Sequence, residues 1–346
     1  MMRTISMKIA FWVALVSLLV VLSPAQAPAK EWPKALTIAA GAPGGGVFTI
    51  GTGMASLMTK YIKVKTNAES GLFGKNVVLL HNGDVDFGMA QSDLAYEAAR
   101  GLGNYKQYGK MKLRLMFSGS VPPATFVVKA DSGINKVTDL KGKTVMATMI
   151  NNSTFTLCGD FILKSAGMTR KDLKDIPFSG PKAGRDALAE GRVKSFIVLV
   201  PTVGKTAWVE ELNMQIPIRF ITGEEKALEA IIAESPFARK ATLYAKYYGE
   251  IVNNKDLMSV GTTHNFLCRT ALPDDLVYEV MKVFYGHLEE LYTFHLEAKP
   301  YLANPLDVAV LPYHPGAIKY YKEKGLWTPK LEETQKKFLK ELGASR

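Results

Sequence analysis

Two short turns in this chain carry residues that could hold a small ligand. The first, Gly44-Gly45-Gly46 followed by Val47 and Phe48, closes a strand-like run from Leu36 and opens a stretch with apolar residues at Val47, Ile50, Met54, Leu57 and Tyr61. That is the three-and-four spacing of one buried helix face. A helix starting at such a turn leaves several backbone N–H groups unpaired, and these favour an anion or another acceptor. Glycine keeps side chains from standing between ligand and backbone. The second turn, Asn151-Asn152-Ser153-Thr154, precedes a helix running through Gly159 to Ala166. It repeats the logic of the first, with Asn152, Ser153 or Thr154 able to cap the helix. Each turn also has a plainer reading, as glycines that only reverse the chain and as caps that use up the polar groups.

Other chemistry-bearing residues are sparse. GAPGGG matches neither G-x-G-x-x-G nor the P-loop pattern, there is no CxxC or HExxH, and the five histidines are widely spaced, so no metal or cofactor is expected. No G-x-S-x-G, local Cys and His arrangement or motif-placed carboxylate pair supports an enzyme; His81 and His264 are bare candidates, explained as well by packing or surface placement. His287 and His295 read as solvent-facing or packing residues. Cys158 lies on an apolar helix face and Cys268 in an apolar strand. Two buried thiols are the expectation, and an oxidising compartment would permit a disulfide between them.

The elements that must position the turns alternate between strand and helix. Val85–Ala90 alternates as a strand and sets Gln91 at its carboxyl end beside the glycine turn, with Ser92 or Asp93 as cap of the next helix. Asn76–Leu80 reads as strand or helix. Leu113–Gly119 is a strand, Val121-Pro122-Pro123 a break, and the rhythm then restarts: strands over 124–130, 144–148 and Ser195–Val200, the last ending at Pro201-Thr202. A helix from Val203 to Leu212, a strand IPIRFI and a helix from Glu224 to Glu234 follow. Met258–Arg269 reads as one strand running back, and Pro273 opens a long helix through Leu276, Val280, Phe284, Leu288 and Leu291. The terminal segments read as a surface wrap. The pattern implies two α/β lobes, 30–121 with 263–346 and 122–262, joined near Ser118–Pro123 and Gly261–Leu267, with a cleft between their turns.

The amino terminus has the form of a cleavable leader over residues 1–29. Arg3 and Lys8 precede the apolar run Ile9–Leu22, and small residues allow a cut after Ala29. The formal charge of +11 becomes a surplus of 9 once the leader is removed, with 41 basic against 32 acidic residues. The lysines are scattered and no basic run is interleaved with aromatics, so nucleic acid is not an expected partner. The field suits anionic solutes or a solvated surface alike.

With these residues in place the chain resembles the TAXI family of TRAP-transporter solute receptors. The resemblance rests on GAPGGGVFTIG, GDVDFGMAQSDLAYEAARG, DLKGKTVMAT, GTTHNFLCRTALPDDLVYEVMK and LPYHPGAIKYYKEKGLW. It implies a two-lobed α/β fold of the periplasmic binding protein type II class, with a hinge and interdomain cleft. It implies a periplasmic monomer that is not an enzyme, captures a small solute such as an amino acid or organic acid, and hands it to a TRAP-type membrane permease; a sensor kinase is the alternative partner. The ligand set it implies is Gly44, Gly45, Gly46, Asn76, Gln91, Asn152, Ser153, Thr154 and Thr202, with Val47, Phe48 and Phe73 as an apolar wall. Several positions depart from the family pattern: Gly46-Val47-Phe48 stands for Thr-Tyr-Tyr, Gly71-Leu72-Phe73 for Gly-Gly-Ser, Asn151–Thr154 for Gly-Ser-Gly-Thr, and Lys194-Ser195 for Asp-Ala. Hydroxyls have given way to apolar groups on one wall, so the solute is expected to be less polar than glutamate-like acids.

Overall fold

Short strands covered on both faces form the centre of this protein. In a computed structural model describing residues 32–150, 152–303, 306 and 308–344, Phe87–Gln91 (β3) and Leu113–Ser118 (β4) are buried along their whole length. Such runs belong inside a sheet with helices on both sides. The leader lies outside the described residues. The chain divides into two compact units, Met1–Pro33 and Lys34–Arg346, and every element below belongs to the second.

Two five-stranded sheets share one plan. The first has the order β2-β1-β3-β12-β4, with Ala35–Ala39 as β1, Lys65–Glu69 as β2 and His264–Arg269 as β12. The second has the order β7-β6-β8-β5-β9. Its strands are Ala124–Lys129 (β5), Thr144–Met146 (β6), Lys174–Asp175 (β7), Ser195–Leu199 (β8) and Ile218–Ile221 (β9). The fourth strand of each sheet is antiparallel to both its neighbours, while the first three run parallel. A two-stranded antiparallel ribbon, Ala238–Leu243 (β10) with Leu257–Thr262 (β11), completes the α/β architecture of two lobes.

The chain passes between the sheets twice, from β4 to β5 and from β11 to β12. The two passages lie side by side: Gly119 N–H donates to the His264 carbonyl at 2.7 Å, and His264 N–H to the Ser120 carbonyl at 2.9 Å. Met258–Arg269 is therefore two strands with a break at Thr263, since each half joins a different sheet. The first core stacks Phe87, Phe266 and Phe117, with Phe284 edge-on to the latter two. The second gathers Phe126, Phe196, Phe220 and Tyr248. Cys158 and Cys268 are both free and buried.

Other boundaries shift for local reasons. Asn76–Leu80 is helical, within Phe73–Asn82 (α2, the first helix, α1, being Gly46–Leu57). The helix expected from Val203 begins at Ala207, because Gly204 adopts a positive φ of 75°. The long carboxyl-terminal helix breaks at His287 into Asp274–Gly286 and Leu288–Phe294. The segment expected as a surface wrap is half core: Leu311, Tyr313, His314 and Tyr321 are buried, and only the helix Pro329–Leu342 is mostly exposed.

Candidate functional site

The start of α1 faces a cavity of about 250 Å³ to which both sheets contribute. From the first sheet's side come Gly45, Gly46, Val47 and Ile50 of the turn and α1, Phe73 at the first position of α2, and Gln91 at the end of β3. The second sheet supplies Leu199, Val200 and Pro201 at the end of β8, and Phe155 from the helix Ser153–Ser165 (α4). Pro122 and His264, on the two passages, form the back. The walls are largely hydrocarbon, as in most small-molecule sites, with few polar groups to set orientation.

Those polar groups come mainly from a segment that local sequence pattern did not single out. His295 and Glu297 follow the helix Leu288–Phe294 and turn into the cavity, and Thr206 meets them from the other side. The His295 ring lies on Gly46 so closely that a side chain there would begin 2.8 Å from Nε2. Gly46 is thus required by a packed imidazole. His295 Nδ1 accepts from Glu297 N–H at 3.1 Å, which leaves the proton of the neutral ring on Nε2. Burial holds the His295 pKa below its ordinary value.

Glu297 is buried and joins the lobes. Its Oε1 accepts from Val203 N–H at 2.7 Å, and Ser120 and Thr202 lie close to the carboxylate. Burial raises its pKa, and the Val203 N–H works against the rise without cancelling it. Ser120 Oγ also lies 3.3 Å from His264 Nδ1. Burial pushes the His264 pKa down to about 4. His264 belongs to the cavity wall, and His295, expected as a packing or solvent-facing residue, lines the same cavity.

The second expected turn is used differently. Asn152 caps α4 through Thr154 N–H at 3.0 Å, and its side-chain amide donates to Gln91 Oε1 at 3.2 Å. Thr154 Oγ–H donates at 2.7 Å to Asp93, which lies in the first turn of Ser92–Arg100 (α3). Asp93 is buried, and burial pushes its pKa up to about 6 against the opposing hydrogen bond from Thr154. Neither Ser92 nor Asp93 caps α3; Gln91 occupies that position. The Ser92 hydroxyl instead donates to Phe237 O and accepts from Thr263 N–H, because this helix start is itself covered by the other lobe.

Of the ligand set that the resemblance implies, five residues line the cavity: Gly45, Gly46, Val47, Phe73 and Gln91. Gly44 makes the turn with φ of 76° and is exposed, and Phe48 is not among the residues that line the cavity. Asn76 lies beneath the wall, where its amide donates to the carbonyls of Ala39, Ala40 and Met89 and ties α2 to the ends of β1 and β3. Asn152 and Ser153 border a different surface hollow, and Thr154 is occupied by Asp93. Thr202 sits one residue past the cavity edge with its hydroxyl buried. No cluster of side chains suited to a metal ion occurs among the described residues, and no described helix is long and apolar enough to cross a membrane.

Several solved structures are similar to this chain at low identity. The periplasmic aliphatic sulphonate binding protein SsuA from Escherichia coli is 14% identical, with 89% of this chain and 86% of that chain covered and a TM-score of 0.47. The alkanesulfonate-binding protein SsuA from Xanthomonas axonopodis pv. citri, bound to MOPS, is 17% identical over 89% of this chain and 95% of its own, with a TM-score of 0.47. The substrate binding protein of an amino acid ABC transporter is 17% identical, covering 78% of this chain and 98% of its own, with a TM-score of 0.40. The sequence profile of the NMT1-like family matches residues 38–325, most of the length, and the chain belongs to that family.

Proposed function

We propose that this protein is an exported solute receptor: it captures one small organic molecule between two lobes, 30–121 with 263–346 and 122–262, and presents the closed form to a TRAP-type membrane permease. The observation that carries the reading is the cavity, whose walls come from both sheets and whose back is formed by the two passages between them. A ligand touching both lobes favours the arrangement in which both contacts are made, and it does so only by its differential affinity for that arrangement. The permease and the periplasmic location follow from the TAXI resemblance and the leader-like amino terminus. An acid, which the same resemblance implies, would have to be held by the α1 amides, since no lysine or arginine faces the cavity among the described residues.

Turnover is not expected, because the cavity walls are largely hydrocarbon. Native mass spectrometry of the protein purified from its own periplasm tests the reading. A single small molecule, released unchanged on unfolding, is the expected result, together with a mature chain beginning at Lys30. A natively folded protein that carries nothing, or a bound compound that is chemically converted, would overturn it. A neighbouring gene for a many-helix permease, against one for a sensor kinase, decides the partner.

A further inference from the structure

We infer that the solute has an apolar body and an uncharged or cationic head that donates a hydrogen bond, and that it carries no net negative charge; this rests on the receptor reading above. Glu297, His264 and His295 are the ionisable side chains that face the cavity among the described residues. Burial raises the pKa of Glu297 from its ordinary value, and the Val203 N–H that donates to Oε1 works against that rise and favours the carboxylate. Both imidazoles are held neutral, since burial lowers the pKa of each. An anionic head would therefore meet a buried carboxylate with no side-chain cation to offset it. Its remaining attraction would be the main-chain donors at the start of α1, which carry only a fraction of a charge.

The hydrogen-bonding inventory points to the same head. A carboxylate can accept about four hydrogen bonds, and Val203 N–H takes one place on Glu297, so room is left for a donor on the solute. His295 Nε2–H is a donor above Gly46. The Thr206 hydroxyl lines the cavity with its oxygen buried and has no partner among the described residues, although buried polar atoms are nearly always paired. One acceptor, one donor and one adaptable hydroxyl suit a primary amide or a similar neutral group. Val47, Ile50, Phe73 and Phe155 leave the rest of the solute in hydrocarbon.

The test is calorimetric titration, at pH 8, of the full mature chain freed of bound solute, using three probes with one body: 3-phenylpropanamide, 3-phenylpropylamine and 3-phenylpropanoate. The amide and the amine are expected to bind at least about tenfold more tightly than the acid, the equivalent of one decade in the dissociation constant. Lowering the pH toward the pKa of the acid should tighten its binding, because it enters protonated. Glu297→Gln keeps an acceptor at the same place and should narrow the gap between amide and acid. A native protein that prefers the acid at pH 8 overturns the inference and leaves a receptor for anions standing. A gap unchanged in Glu297→Gln removes its cause. Silence from all three probes also overturns it, while the receptor reading is decided separately by what the native protein carries.

Discussion

The starts of α1 and α4 occupy matching places on the two sheets, yet one is open and the other closed. At α1, Gly45, Gly46 and Val47 border the cavity. At α4, Asn152 caps its own helix, and Thr154 and Asn152 are bonded to Asp93 and Gln91 from the other lobe. A helix start offers donors in either case. What separates them is that at α4 the other lobe brings a carboxylate to the Thr154 hydroxyl and an amide oxygen to Asn152. The same local pattern thus serves as a cavity wall in one lobe and as a clasp between lobes in the other.

Filling the open start should produce the largest effect. We predict that Val47→Trp weakens binding of the co-purified solute by at least about 100-fold, close to 2.7 kcal/mol, whereas Ser153→Trp at the exposed start of α4 leaves it within about twofold. Calorimetry on both variants checks this, and equal losses would erase the distinction between the two helices.

The closed start should next reveal itself through pH. The Asp93 pKa is raised from 3.8 to about 6. Its neutral form is the one the folded protein favours, so this contribution to stability is full below pH 4 and lost as the pH rises through about 6. The whole swing is about 3 kcal/mol. Asp93→Asn stays neutral, so denaturant melts between pH 4 and 7 should show the variant gaining on the native protein. A stability difference between the two that stays flat across that range would show that Asp93 is not desolvated. At the open start the slope reverses. The pKa of His295 is depressed from 6.5, and its contribution is full above that value and lost as the pH falls.

Smaller effects separate the hydroxyls and amides. Thr154→Val strips the buried Asp93 of its donor and should cost about 1–3 kcal/mol in urea unfolding. Thr49→Val, whose hydroxyl only brushes Gly45 O at 3.4 Å, should cost less than about 0.5 kcal/mol. Gln91→Ala removes the partner of the Asn152 amide and should cost about 1 kcal/mol. If Thr49→Val proved as damaging as Thr154→Val, the clasp would lie elsewhere.

Sequence pattern reaches this site from one side only. The strand before Gln91 and the glycine turn before Val47 are written in contiguous residues, so their neighbourhood follows from β3 and β1 pairing in parallel. His295 and Glu297 lie in FHLEAKP, which by composition resembles any frayed helix end. Their role appears only when the chain brings them against Gly46 and against Val203, 94 residues away. Asp93 was hidden for a different reason: an acidic residue at a helix start already has a local explanation, and nothing nearby signals that Thr154 will cover it. Asn76 shows the reverse error, a polar residue beside the turn whose side-chain nitrogen donates to backbone carbonyls.

His264 belongs to two structures at once. Its backbone ties the two passages together through Gly119 and Ser120, while its ring forms part of the cavity's back wall. Any guest that presses on the imidazole therefore leans directly on the pivot, with no relay of intervening side chains. Under the receptor reading, occupancy and lobe angle are coupled at this residue, and a spectroscopic label reporting on the His264 ring is expected to register arrival of the guest and swing of the lobes with a single time constant.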